Sequence, residues 1–240
     1  MAVVVGHQSW RKLLFLHWEV PPSALRPLVP AELELDLWEG RAFVGLIPFR
    51  CEKTRARFLP PVPGLSDYRE INTRTYVRHA ETGEPGVWFF ALDADNMGAV
   101  AGARMSFQLP YFPCTAKLRE EWKPGGNQIH YRSSRLGPGP RPGELDVTYR
   151  VHEAIGTAVQ RTIEHYFVER YVLYTNWRPM GVMKASVRHR PYPLHRAELL
   201  KLDCDSLAMS LKLPPPTGDV HTLYSPGVDV DIQALRPPGD

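Results

Sequence analysis

Residues 67–114 hold two neighbouring strand segments of opposite character, and few architectures can house both. In DYREINTRTYVRHA, alternation sends Ile71, Thr73, Thr75 and Val77 to one face. It sends Glu70, Asn72, Arg74, Tyr76 and Arg78 to the other. The turn ETGEPG follows, and then Val87 to Leu92 is apolar on both faces, as in a strand covered on both sides. A covered strand therefore adjoins one that carries a row of carboxylate, amide, guanidinium and phenol. That row either faces water or lines the inside of a closed sheet. The stretch ends with a helix of small residues, NMGAVAGARMSFQ, and a tight Pro-aromatic segment, LPYFPC.

The rest of the chain is written for turns. Its 24 prolines and 18 glycines are spread throughout, which favours many turns and few long helices. Hydrophobic content of 43% and charged content of 23% are those of a globular protein, and 240 residues can bury a sizeable core. Strand signals recur about every ten residues, the spacing of a sandwich or barrel. There is no repeat of fixed period and no break in composition, so residues 1–240 read as a single domain.

Charge and motif content narrow the function classes. The net charge of +3 is small, and the cations are interleaved with acids, which argues against a nucleic-acid partner. No stretch approaches the roughly 18 apolar residues of a membrane span. The start, MAVVVGHQSW, lacks a charged region and a sustained apolar run, so no signal peptide is read and the expected location is cytoplasmic. Cys51, Cys114 and Cys204 lie far apart with no C-x-x-C pair, the pattern of buried free thiols in a reducing compartment. The nine histidines form neither H-x-x-x-H nor H-E-x-x-H, and no metal is expected. Gly98 to Gly102 lacks the order of a dinucleotide fingerprint, and Ser225 lacks a nucleophile elbow, so no cofactor is expected either.

In chain order, residues 10–20 read as a strand, stopped by Pro21 and Pro22 before a short helix over 23–28 with Ser23 as its cap. Leu33–Trp38 and Arg41–Arg50 read as a hairpin about Glu39-Gly40. Residues 52–66, with three prolines and no period, read as a packed loop or a lid. The helix after 93–95 is expected to be capped by its acidic start. Strands are expected over 115–122, 128–136 and 145–152. A helix follows over 157–169 and a strand over 171–175. A hairpin joins 181–190 to 194–203, residues 206–213 form a helix or a strand, and two short strands flank Ser225-Pro226-Gly227.

Several of these stretches together resemble one family. They are HWEVPPSALRPLVP at 17–30, GRAFVGLIPFR at 40–50, EINTRTYVR at 70–78 and GVWFFALDAD at 86–95, with LPYF at 109–112, ERYVLYT at 169–175 and SPGVDV at 225–230. The chain resembles the YqjF-like family of uncharacterised bacterial proteins, placed in the acetoacetate-decarboxylase-like superfamily. The resemblance implies a mainly β (α+β) fold. It would be a closed, largely antiparallel β-barrel with a few short helices around a small polar cavity, in chains that tend to oligomerise. The superfamily's decarboxylases use a Schiff-base lysine, whose pKa a cationic neighbour lowers. Tyr111 and Phe112 stand here where two adjacent lysines would be, and a phenol cannot form an iminium. Lys117, the nearest lysine downstream, has nothing basic beside it. Tyr68-Arg69-Glu70 resembles the superfamily's Tyr-x-Glu element and favours the inward reading of the Glu70 face.

Three hypotheses remain open. The first is an enzyme, or degenerate enzyme, acting on a small organic (keto) acid. Arg74 would hold the carboxylate, Glu70 would act as acid or base and Tyr111 would donate to a carbonyl, with Asn72 and Tyr76 beside them. The second is a non-catalytic barrel that binds a small metabolite. The third is a structural or assembly protein that forms homo-oligomers.

Overall fold

The computed structural model describes residues 3–239. Its strands are β1 (Val4–Val20), β2 (Leu33–Leu35), β3 (Ala42–Ala56), β4 (Tyr68–His79), β5 (Pro85–Ala94), β6 (Tyr111–Lys123), β7 (Gly126–Arg135), β8 (Glu144–Gly156), β9 (Val172–Trp177), β10 (Gly181–Arg188), β11 (Leu194–Asp203) and β12 (His221–Gln233). Four short helices interrupt them: α1 (Pro22–Leu25), α2 (Met97–Phe107), α3 (Ile163–Val168) and α4 (Asp205–Ser210). None of these helices is long and apolar enough to cross a membrane.

The strand pairings close on themselves. β1, β3, β4, β5, β9, β10 and β12 form a ring, in that order, with β12 returning to β1. β6, β7, β8 and β11 leave the ring at β5 and rejoin it at β12. Every pairing is antiparallel except β5 with β6 and β5 with β9. The expected closed, mainly antiparallel sheet is therefore a ring with a second layer attached. That layout explains why β1 and β3 are apolar on both faces over much of their length. In β1, Leu13 and Phe15 enter one core, while Leu14, Leu16 and Trp18 enter a second. In β3, Ile47 and Phe49 join the first core and Val44 and Leu46 the second.

The β4–β5 hairpin forms as read from the sequence, but two other hairpins do not. β2 pairs with the end of β4, Leu33 opposite His79, and meets β3 only through the Trp38–Arg41 bridge. β10 pairs with β9 and β12, whereas β11 pairs with β8 and β12. Alternation shows that a segment is a strand; its partner is set by ring closure, which no local pattern encodes. Residues 221–233 run as one continuous strand through Pro226 and Gly227. Residues 206–213 resolve as α4 with its following turn, and residues 52–56 extend β3.

Caps differ as well. Ser23 does not cap α1, which begins at Pro22 behind Pro21. α2 is capped by Asn96, whose side chain accepts from the Ala99 amide at 3.0 Å. The acids before it are engaged elsewhere, Asp95 by Arg69 and Asp93 by Arg135. The helix expected over 157–169 shrinks to α3, with Thr162 as its cap. All three cysteines are free and buried.

The Arg135–Asp93 pair ties the Pro/Gly loop and α4 to the end of β5. Arg135 Nε and Nη2 donate to the Asp93 carboxylate at 2.5 and 2.7 Å, and Nη1 donates to the Pro140 carbonyl at 2.9 Å. Both side chains are sealed from solvent, at 0% and 2% exposure. Removing one member of such a pair strands the other charge. Arg135→Met is expected to lower unfolding free energy by roughly 3–5 kcal/mol in urea titrations. Arg132→Met, on the exposed face of the same strand, should change it by less than about 1 kcal/mol.

Candidate active site

β4 places its polar row inside the ring. Glu70, Asn72 and Arg74 line a cavity of about 470 Å³. They are 3%, 8% and 9% exposed, so the row meets neither bulk water nor the second core. Apolar walls complete the cavity, among them Trp10, Phe49, Phe89, Leu92 and Tyr192. The α2 residues Gly98, Ala99, Gly102 and Ala103 form its roof; their small side chains leave space beneath the helix rather than filling it. A Cβ on Gly102 would meet nothing within 4 Å. Leu59, Val62 and Leu65 from the loop after β3 border the opening. That loop is anchored where the Asn96 amide donates to the carbonyls of Gly64 and Leu65.

Tyr111 reaches the row because α2 is a crossover between the parallel strands β5 and β6. The helix ends at Gln108 in the left-handed conformation, and Arg104 Nε donates to the Tyr111 carbonyl at 2.7 Å. Leu92 then lies between Asn72 on one side and Tyr111 on the other. Rather than sitting at a rim, Tyr111 is buried, and its hydroxyl donates to Glu70 Oε2 at 3.0 Å. Burial pushes the Glu70 carboxyl up to about 8; the Tyr111 hydrogen bond opposes this and the charge of Asp93 adds to it. Burial, reinforced by Glu70, also holds the Tyr111 phenol well above its usual range. At neutral pH the pair is therefore a neutral carboxylic acid accepting from a neutral phenol, with one O–H left free to donate and no net charge.

The other end of the row is cationic. Arg74 Nη2 donates to the Phe167 carbonyl at 3.0 Å. That carbonyl lies in the last turn of α3, where the intrahelical acceptors are left free and the helix dipole favours a cation. Among the described residues no carboxylate pairs with Arg74, and its Nε has no partner. Asn72 Oδ1 is likewise buried and unpartnered. A nearby cation, Arg170, also lines the cavity but is committed to Asp36 at 2.7 Å.

Tyr76 is the one residue of the expected set that lies outside the cavity wall. Its hydroxyl donates to the Phe167 carbonyl at 3.0 Å, so His17 Nε2 donates to it at 2.6 Å. No lysine lines the cavity among the described residues. Lys117 is exposed, and Lys184 is buried against Glu84 at 2.8 Å. Gln8 and Tyr192 are lining residues that no sequence pattern singled out. They arrive from β1 and from the segment before β11, far from the β4 motif.

The model of DUF2071, an uncharacterized conserved protein, matches residues 7–229. The chain belongs to this family. The uncharacterized protein YqjF of Bacillus subtilis (strain 168) is 36% identical over 232 residues, covering 97% of this chain and 92% of that one. The fold is that of the acetoacetate-decarboxylase-like proteins. An acetoacetate decarboxylase-like enzyme from Sphingomonas wittichii RW1 superposes with a TM-score of 0.66 at 12% identity, covering 97% of this chain and 92% of its own. The enduracididine biosynthesis enzyme MppR superposes with a TM-score of 0.65 at 13% identity, covering 98% and 91%. The DUF2071 cavity thus occupies the inside of an acetoacetate-decarboxylase-like ring.

The raised Glu70 pKa has a thermodynamic signature. A carboxyl near 4.5 when unfolded and about 8 when folded holds its proton more tightly in the native state. Its stabilising contribution is complete below pH 4.5 and is lost as pH rises through about 8. Unfolding free energy should decline over that window by on the order of a few kcal/mol, and Glu70→Gln should flatten the decline, as read by denaturation at stepped pH.

Proposed function

We propose that this protein binds an organic acid in the β4 cavity and performs acid–base chemistry on its carbonyl group without a Schiff base. The observation that carries this reading is Arg74, a buried guanidinium facing an apolar cavity with no carboxylate partner among the described residues. A lone buried cation is costly, and a guanidinium recognises carboxylates through paired N–H donors. Glu70, held by the Tyr111 hydroxyl, supplies a neutral O–H donor in the cavity, a group that stabilises charge developing on a carbonyl oxygen. The protonated Glu70 can deliver its proton there and recover it as the oxygen charge collapses. Similarity in fold to MppR, which has been solved with pyruvate, supports an acid of the keto class.

The lysine-free lining supports chemistry without an iminium. It equally favours the second reading, a binding barrel with no turnover. Two measurements separate these readings from a purely structural role. Ligand-dependent thermal stabilisation by carboxylic acids is expected, with Arg74→Met weakening it by about tenfold or more in Kd. A panel in which no acid raises Tm would sink both. For an enzyme, turnover should fall about tenfold per pH unit above roughly 8, where Glu70 loses its proton, whereas a binder shows no turnover at any pH. Borohydride trapping with acetoacetate should leave no reduced adduct on any lysine; a stoichiometric adduct on Lys117 or Lys184 would refute the proposed chemistry.

A further inference from the structure

Glu70 and Arg74 are four positions apart, about 13 Å of backbone on an extended strand. Their side chains are held apart by different partners, the Tyr111 hydroxyl at one end and the Phe167 carbonyl at the other, each at 3.0 Å. In a three-carbon 2-oxo acid the carboxylate and carbonyl sit on adjacent carbons. Such a molecule is far shorter than the backbone separation of the two polar ends. It would also leave most of the space empty, because 470 Å³ is the share of roughly 15 waters. Water is a poor filler for it, since the walls between the two polar ends are Phe49, Phe89, Leu92, Phe107 and Tyr192.

We infer that the ligand of this cavity is an elongated, amphipathic oxo acid. Its carboxylate sits on Arg74 and its carbonyl at Glu70–Tyr111, joined by an alkyl chain or ring that lies between the apolar walls. This rests on the organic-acid reading above and sharpens it, since pyruvate-sized acids then bind weakly. The chain gains affinity by apolar burial, and each polar end is matched only when the spacing is right.

Calorimetry on the full-length protein at pH 7 tests this with four probes: pyruvate, 7-oxooctanoate, octanoate and 2-octanone. The expected result is that 7-oxooctanoate binds at least about tenfold more tightly than pyruvate. It should also exceed octanoate, which lacks the carbonyl, and 2-octanone, which lacks the carboxylate. Arg74→Met should remove the advantage of 7-oxooctanoate over 2-octanone. If pyruvate matches 7-oxooctanoate and both depend on Arg74, the length inference is overturned and the organic-acid reading stands. If neither acid binds, or Arg74→Met changes nothing, the organic-acid reading fails with it. The comparison among probes uses the unmodified protein, so it decides the matter even where a variant does not fold.

Discussion

β4 lies between two cores, and both of its faces are dry. One face carries Ile71, Thr73 and Thr75, all at 1% exposure or less; the other carries Glu70, Asn72, Arg74 and Tyr76. A strand with that many polar groups can be buried only if distant parts of the chain bring partners to it. Thr75 donates to the Phe43 carbonyl at 2.8 Å, Tyr111 comes to Glu70 from β6, and the end of α3 comes to Arg74 and Tyr76 through Phe167. The crossover through α2 and the brief α3 can both be understood as answers to this demand. One strand thereby couples ring closure to the assembly of the candidate site.

The same demand is only partly met, and the shortfall falls in the cavity where the proposed function is placed. Asn72 Oδ1 and Arg74 Nε remain without partners, and Glu70 keeps its proton rather than finding a cation. In a core serving stability alone these groups would be replaced by apolar ones or fully paired. Here they border open volume, with a cation at one end and the neutral Glu70–Tyr111 pair at the other. In a water-poor cavity such fixed dipoles and charges act strongly, because little solvent competes with them. The small-residue roof keeps the space open at the cost of weaker helix propensity at Gly98 and Gly102.

Much of this was readable from local pattern. Period-2 alternation put Glu70, Asn72 and Arg74 on one face, and the wholly apolar Val87–Leu92 marked a neighbour covered on both sides. Tyr111 entered through a family resemblance, since nothing local links a phenol after Leu109-Pro110 to a carboxylate 41 residues earlier. Gln8, Tyr192 and the Phe167 carbonyl carried no signal at all. A backbone carbonyl has no residue identity to read, and the other two lie on segments that ring closure brings into place. The two hairpins misjudged from spacing fail for the same reason: β2 pairs with β4 instead of β3, and β11 with β8 and β12 instead of β10.

By itself, the sequence determined that the chain is mainly β, rich in turns, and built around a strand whose two faces differ in kind. These follow from side-chain periodicity and from proline and glycine stereochemistry, which act over a few residues. Tertiary structure alone decided that the polar row faces a cavity instead of water, that Arg74 has no carboxylate partner among the described residues, and that Glu70 holds its proton near neutrality. Those properties depend on which groups approach across the ring and on how much water is left there. Both are set by contacts between residues far apart in the chain.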